Sequence, residues 1–399
     1  MPSPLKVDCC IVGAGPAGAV LAYLLARKGV KVTLLEAEKD FDRNFRGDTL
    51  HPSIMEIMDD LGLAEKLLKK PHTKVREMGA NEFTLINFKE IKTKFPYITM
   101  MHQKDFLEFI TKESKKFSNF NLIMNANAQQ VIKKKGKIAG VRYMKGKQWK
   151  EVRARLIVGA DGRFSHMRKL GEFEMEKSSP PMDILWFRIP KDAKKDKKLH
   201  TGGNIKKGKI ILMLEREEYW QMGYIMGKGE YLNVRKRGLK AFQKVVTDFV
   251  PRFKGRAKQA LKSWDKLSLL VVESSYVKQW YRDGLLLIGD AAHVMTPVGG
   301  VGINYAIQDA VVAANVLTQP LLGKRLKLSH LKKVQNKRKW PTKFIQTFQR
   351  IIQKKVVGKA LKRELKSIPL PLKIVRKIPF IKSIPARLVG IGFWRIRVK

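Results

Sequence analysis

Acidic residues are scarce in this chain of 399 amino acids: 35 Asp and Glu stand against 81 Lys and Arg, a formal net charge of +46. That imbalance excludes a preference for cationic partners and favours polyanions or anionic surfaces. Cysteine is nearly absent. The only two, Cys9 and Cys10, are neighbours, and adjacent strand residues point to opposite faces, so they make a poor disulfide. Two small buried side chains in a reducing compartment is the reading that fits. His and Cys never gather at ligand spacing, so no metal cluster is expected. Spanning segments are lacking too. Cys9 to Ala26 is 18 residues without a charge, but Gly13-Ala14-Gly15-Pro16 lies inside it and argues against both a membrane span and a secretory leader. There is no internal repeat and no long low-complexity linker.

What the chain does have, a dozen residues in, is Val12-Gly13-Ala14-Gly15-Pro16-Ala17-Gly18, between an apolar strand (Val7 to Val12) and a helix-like stretch (Ala19 to Lys28). Gly13 permits the tight turn, Gly15 lets backbone approach a pyrophosphate, and Gly18 lets the helix pack on the strand. The helix start, including Ala17, offers unpaired N–H groups to phosphates. A second apolar run, Val30 to Leu35, ends at Glu36, where a carboxylate suits an unphosphorylated ribose. FAD or NAD therefore fits better than NADP.

Two distant segments bear on the choice. Ile157-Val158-Gly159-Ala160-Asp161-Gly162 follows one apolar run, and Leu285-Leu286-Leu287-Ile288-Gly289-Asp290 forms another, followed by Pro297-Val298-Gly299-Gly300-Val301-Gly302-Ile303-Asn304. The run Ile303 to Leu317 reads as a helix starting near Gly300, whose N–H groups would stabilise negative charge on a reduced flavin. Asp161 and Asp290 also have a plainer reading, as caps of turns after strands.

In these motifs the chain resembles the FAD-dependent aromatic hydroxylases, the class A flavoprotein monooxygenases and their ubiquinone-pathway relatives, from Val7 to about Leu317. The resemblance implies that Gly13, Gly15, Gly18 and Glu36 hold the ADP half of noncovalent FAD, with Ala17 and Val131 in the same site. Gly289 and Asp290 would hold the ribityl and pyrophosphate region, and Asp161 would support FAD and the approach of NAD(P)H. Arg46 matches the family's arginine near the flavin and Gln103 its glutamine near the ribityl chain. Pro297, Gly299 and Gly300 would lie nearest the isoalloxazine, with Gly302 and Asn304 alongside. His293 reads as a positioning residue, and no catalytic base is identified. The reaction implied is NAD(P)H-dependent hydroxylation of an aromatic or lipophilic molecule through a flavin C4a-hydroperoxide. Two other classes stand beside it: a reductase of the geranylgeranyl-reductase type, and a noncatalytic membrane- or polyanion-binding flavoprotein.

Short apolar strands alternating with helical stretches give an α/β fold class, and the resemblance implies a Rossmann-like FAD-binding domain with an interposed β-sheet lobe. The family fold divides the chain into a discontinuous FAD-binding domain (1–75, 98–180 and 275–335), a substrate lobe (76–97 and 181–274) and a basic C-terminal segment (336–399). Strand-like runs Asp183 to Ile189, Lys209 to Leu214 and Tyr219 to Met226 suit a sheet roofing a cavity. Trp186, Phe187, Met213, Trp220, Met222, Tyr224 and Met226 either line that cavity or form the ordinary core of the sheet.

From Leu321 to Lys399 there are 24 Lys and Arg and one acid, Glu364. Phe344, Ile345, Phe348, Ile351, Ile352 and Val356 recur at helical spacing, whereas Pro369, Pro371, Pro379 and Pro385 are expected to break any long helix. Leu388 to Arg395 ends with an aromatic pair beside cations. Peripheral attachment to an anionic bilayer, at the inner face of a cytoplasmic membrane, is one reading. Docking of the apolar residues on the FAD domain is the other, and no nucleic-acid motif is present.

Overall fold

In the computed structural model, which describes residues 4–42, 48–81, 83–196, 199–362 and 379–399, the near-continuous apolar runs become central parallel strands. Strands covered on both faces need no polar alternation. β1 (Leu5–Val12) lies between β2 (Val32–Leu35) and β11 (Gln148–Gly159), parallel to both. β8 (Phe120–Ile123) extends the sheet beyond β2, and β20 (Leu285–Leu287) extends it beyond β11, again in parallel. β19 (Tyr281–Arg282) closes that edge, while β10 (Lys137–Lys145) and β9 (Ala126–Lys134) form an antiparallel meander with the start of β11, completing eight strands. Helices α1 (Pro16–Arg27), α4 (Gln103–Ser114) and α9 (Gly302–Leu322) pack together, and α1 is buried from Ala17 to Ala26. Both cysteines are buried and unpaired in β1.

The second large sheet is antiparallel at its centre: β13 (Met182–Pro190) beside β16 (Tyr219–Gly227) beside β15 (Lys209–Glu215). β14 (Gly202–Lys206) continues it to β5 (Glu77–Ala80) and β6 (Phe83–Asn87), and β17 (Ser268–Leu270) borders β13. Strands far apart in sequence thus share one sheet. Two three-stranded sheets stand where the chain crosses between the large ones. One joins β3 (Thr49–Leu50), β7 (Ile98–Met100) and β4 (Thr73–Val75); the other joins β12 (Met175–Ser178), β18 (Ser274–Val277) and β21 (His293–Val294). Short helices α2 (Pro52–Asp60), α3 (Ala64–Leu67) and α5 (His166–Leu170) complete this part.

The faces of the second sheet follow the two-residue period of a strand. Leu185, Phe187, Met213, Trp220, Met222, Tyr224 and Met226 turn to one side. There they form a core with Phe242, Val246 and Phe253, supplied by α6 (Tyr231–Lys236), α7 (Leu239–Phe249), α8 (Lys254–Ala260) and the turns between them. Ile184, Trp186, Ile210 and Ile225 turn to the other, where Leu214 and Val298 join them.

Downstream, α10 (Leu328–Ile352) packs along α9, followed by α11 (Lys359–Leu361) and α12 (Pro379–Gly390). Pro379 is the first described residue of α12. Pro385 does not break the helix as expected but lies inside α12. Burial of Ala386 and Val389 against the turn region offsets the one lost hydrogen bond. Pro369 and Pro371 lie outside the described residues. Among the described residues no helix is long and apolar enough to cross a membrane.

Candidate cofactor and active site

β1 delivers Val12 to the sheet edge, and the chain then turns at Gly13 with φ of 99°, a conformation that favours glycine. The turn is fixed from three sides: Gly13 N–H donates to Leu35 O at 2.8 Å, Ala14 N–H to Glu36 Oε2 at 2.8 Å, and Ala160 N–H to Val12 O at 2.8 Å. A side chain at Gly13 would bring its Cβ to 2.5 Å from Ala160 O, and one at Gly18 would overlap the Gly13 carbonyl. These two glycines are required by protein packing. Gly15 is different. Its φ of −68° suits any residue, and a Cβ there would meet nothing within 4 Å. Gly15 also caps α1, whose first turn has no capping side chain and no acid, so its N–H groups have no partner in the helix. A bare backbone, an open approach and a positive helix end together fit a pyrophosphate.

The other two segments arrive at the same place. β11 ends at Gly159, and Asp161 follows with Oδ1 accepting from Ser165 Oγ at 2.5 Å and Oδ2 from Met167 N–H at 2.9 Å. That is the geometry of a cap on α5, so Asp161 holds the turn that presses on Gly13. Burial raises its carboxyl above the ordinary range, against those hydrogen bonds. Gly289, at the end of β20, lies so near α1 and α9 that a Cβ would sit 3.2 Å from those of both Ala17 and Ala306. Asp290 follows, half-buried. Arg168 ties the two turns together, donating to Ala291 O at 3.1 Å and Arg163 O at 2.7 Å.

Beneath Gly289 lies an ion cluster. Asp309, fully buried in α9, accepts from Gly289 N–H at 3.0 Å, from His293 Nε2 at 2.6 Å and from Arg338 Nε at 2.6 Å. Burial alone would raise the Asp309 carboxyl, but His293 and Arg338 outweigh it and hold it below the ordinary range. His293 is held between Asp309 and the tilted ring of Trp280, whose centroid lies 5.0 Å away. Asp309 carried a sequence signal, a lone acid inside an apolar helix. Arg338 carried none among the surrounding lysines.

The turn between β21 and α9 has consecutive left-handed glycines, Gly299 (φ 79°) and Gly300 (φ 64°). Gly300 O accepts from Thr49 Oγ1 at 2.8 Å and from Asn304 Nδ2 at 3.2 Å, and Asn304 Oδ1 accepts from His51 N–H at 2.9 Å. His51 Nδ1 meets Val389 O of α12 at 2.7 Å. Burial lowers His51 to about 4, against its backbone hydrogen bonds, so its ring is neutral at pH 7. Gly302 begins α9, which again lacks a capping side chain. Pro297 is half-buried just ahead of the turn.

At the junction with the second sheet, Asp48 Oδ2 pairs with Arg216 Nη2 at 2.9 Å, and Arg216 also grips Gln221 Oε1 at 2.7 Å. Burial pushes the Asp48 carboxyl up against the pull of Arg216. Gln103 opens α4 beside it, its N–H 3.4 Å from Asp48 Oδ1. A cavity of about 70 Å³ adjoins this pair, lined by His72, Met100, His102, Arg216 and Tyr219. Val131 lies half-buried on β9, packed against the main core. Arg46 lies outside the described residues.

The expected cavity residues divide. Met213, Trp220, Met222 and Tyr224, with Phe187 and Met226, are core under α6 to α8, facing away from the Gly299 turn; Trp186 alone takes the face shared with Val298. The reason is the strand period: neighbours in sequence look opposite ways. Gly223 makes room for Trp186, since a Cβ there would reach 2.8 Å from its ring.

The converging loops and the parallel sheet define a dinucleotide-binding flavoenzyme. The sequence pattern of the family described as FAD binding domain matches residues 6–346. The 6-methylpretetramide 4-monooxygenase of Streptomyces rimosus is 30% identical over 401 residues, spanning 98% of this chain and 94% of that protein. Pentachlorophenol 4-monooxygenase of Sphingobium chlorophenolicum is 22% identical over 324 residues, 75% of this chain and 56% of that one. The solved structure of the OxyS anhydrotetracycline hydroxylase from Streptomyces rimosus shares the fold, with a TM-score of 0.79 at 19% identity over 97% of this chain and 76% of that one. The chain belongs to the FAD-binding-domain family of class A flavoprotein monooxygenases. It is an FAD-dependent oxidoreductase, with NAD(P)H as co-substrate.

Proposed function

We propose that the chain hydroxylates an aromatic, phenol-type substrate. The observation that carries this reading is the open approach at Gly15, ringed by the Asp161 and Gly289 turns. In this reading Gly13, Gly15, Ala17 and Gly18 hold the pyrophosphate of noncovalent FAD with the start of α1. Glu36 takes the ribose hydroxyls, its carboxylate oriented by the Ala14 and Glu38 N–H groups. Val131 completes the ADP side. Asp290, Gln103 and Arg46 attend the ribityl chain and flavin. Pro297, Gly299, Gly300, Gly302 and Asn304 sit against the flavin ring, where N–H groups at the α9 start favour negative charge. Asp161 supports the FAD and the approach of NAD(P)H, while Asp309 and His293 position these turns.

Bound FAD would supply the redox chemistry that couples NAD(P)H oxidation to oxygen. The chain's own residues orient and exclude water. Trp186, Leu214 and Val298 give an apolar face over the Gly299 turn, and the Asp48–Arg216–Gln221 network closes its polar end. The cofactor lobe then comprises 1–75, 98–180 and 275–335, the substrate lobe 76–97 and 181–274, and the C-terminal segment 336–399. A reaction drawing on reduced nicotinamide suits the cytoplasm.

The test is oxygen uptake by FAD-loaded protein given NADH or NADPH and a panel of mono- and polycyclic phenols. The expected result is uptake stimulated by one class of phenol, with an atom of labelled oxygen found in the product. A substrate that is reduced anaerobically would overturn the reading.

A further inference from the structure

α10 is built inside out. Its buried side carries Gln335, Arg338, Thr342, Gln346 and Gln349, together with Leu331, Val334 and Ile345. Its glutamines and Arg338 are satisfied by the body of the protein, whereas the buried Thr342 hydroxyl has no partner among the described residues. Gln335 Oε1 accepts from Trp280 N–H at 3.0 Å, Arg338 pairs with Asp309, and Gln346 Nε2 donates to Ser275 O at 2.9 Å. Gln349 Nε2 donates to Thr296 O at 2.9 Å and to Val298 O at 2.7 Å, on the turn ahead of α9. The outer side instead presents Trp340 (66% exposed), Phe344 (44%) and Ile351 (47%). The spacing places all three within one narrow stripe. The chain's last residues add to it: the Phe344 and Phe393 rings lie 4.9 Å apart, and Phe393 and Trp394 4.8 Å.

A lone exposed apolar residue needs no explanation, but a contiguous aromatic cluster marks a surface that something covers. Lys333, Lys337 and Lys343 are exposed along the same helix, and Lys354 just past its end. None of the four forms an ion pair among the described residues, and α10 contains no acid. Lys343 lies 5.0 Å over the Tyr276 ring and is free of carboxylates. An aromatic stripe edged by unpaired ammonium groups matches an interface of acyl chains beneath anionic headgroups.

We propose that the outer face of α10, with Phe393 and Trp394, docks on an anionic lipid bilayer. The helix's inner face holds the Thr296–Val298 turn, so docking would set the active site about one helix thickness from the membrane, near a source of lipophilic substrate.

The test uses full-length, FAD-loaded protein and sedimentation with vesicles of phosphatidylcholine alone or of equal parts phosphatidylcholine and phosphatidylglycerol, at about 0.15 M salt, where long-range attraction is screened. Wild type is expected to bind the mixed vesicles and not the neutral ones. The double variant W340S/F344S should bind at least about tenfold more weakly, because two large side chains no longer bury, with flavin content and melting temperature unchanged. Three results would overturn the proposal: no binding by wild type, equal binding by the variant (charge alone suffices), or a wild-type dimer in solution that the variant disperses.

Discussion

At the scale of single residues, the legible part of the site is the part set by backbone demands. Gly13, Gly15 and Gly18 announce themselves because no other residue type meets a left-handed turn, an open phosphate approach and a helix pressed on a strand at that spacing. His51 and Arg216 gave no such sign, since a histidine before a proline and an arginine in a hairpin turn look ordinary. His51 nonetheless yields a pH prediction. Its folded value of about 4 lies below the unfolded value of about 6.5. The unfolded chain therefore takes the proton first, and the stability His51 provides is present above about pH 6.5 and lost as pH falls through 4. The full loss is about 3 kcal/mol, and H51Q should flatten that portion of the stability curve in urea titrations run between those limits. Substitutions on opposite faces of the second sheet should separate as well. Met222→Ala should cost about 2–5 kcal/mol of unfolding free energy with KM unchanged, whereas Trp186→Ala should chiefly raise KM for the phenol.

At the scale of elements, the strands β13, β15 and β16 lie where the apolar runs place them, but which face looks at the cofactor turn was not legible. Alternation gives two faces and says nothing about which partner each meets. Here α6 to α8 claim the side bearing Trp220 and Met222, leaving Trp186 for the site. The same limit applied to the C-terminal segment, where helical spacing was readable and the polarity of the buried side was not. Of the two readings of that segment, docking is met in part: α10 packs on α9 through Arg338 and on the segments before α9 through its glutamines, with Ile345 and Phe348 turned inward, while Trp340, Phe344 and Ile351 stay outside. Joining α9 to α10 is the Asp309–Arg338 pair. Asp309→Asn leaves a buried guanidinium without its counter-charge and should cost about 3–5 kcal/mol in urea unfolding of the FAD-free protein. Beside the second sheet, Asp196 is held down to about 2; burial would raise it, but Arg256, at 2.7 Å, and Trp220 outweigh that. Its contribution of about 2–3 kcal/mol is present above about pH 4 and lost as pH falls through 2. The stability difference between wild type and D196N should shrink over that window.

At the scale of the whole molecule, the excess of positive charge does not set the fold. The parallel sheet, the helices packed on it and the antiparallel roof are those of the family, and most of the cations are carried at the surface. What the fold accomplishes is convergence: turns after β1, β11 and β20, with the start of α9, meet around one open approach. The most direct measurement is FAD binding to the deflavinated protein and to its Gly15→Val variant, with unfolding free energy measured alongside. A Cβ at that position meets no protein atom within 4 Å. The expected result is therefore one FAD per wild-type chain, none retained by the variant, and equal stability of the two without cofactor, within about 0.5 kcal/mol. A variant that folds normally and binds FAD as tightly as wild type would contradict the account.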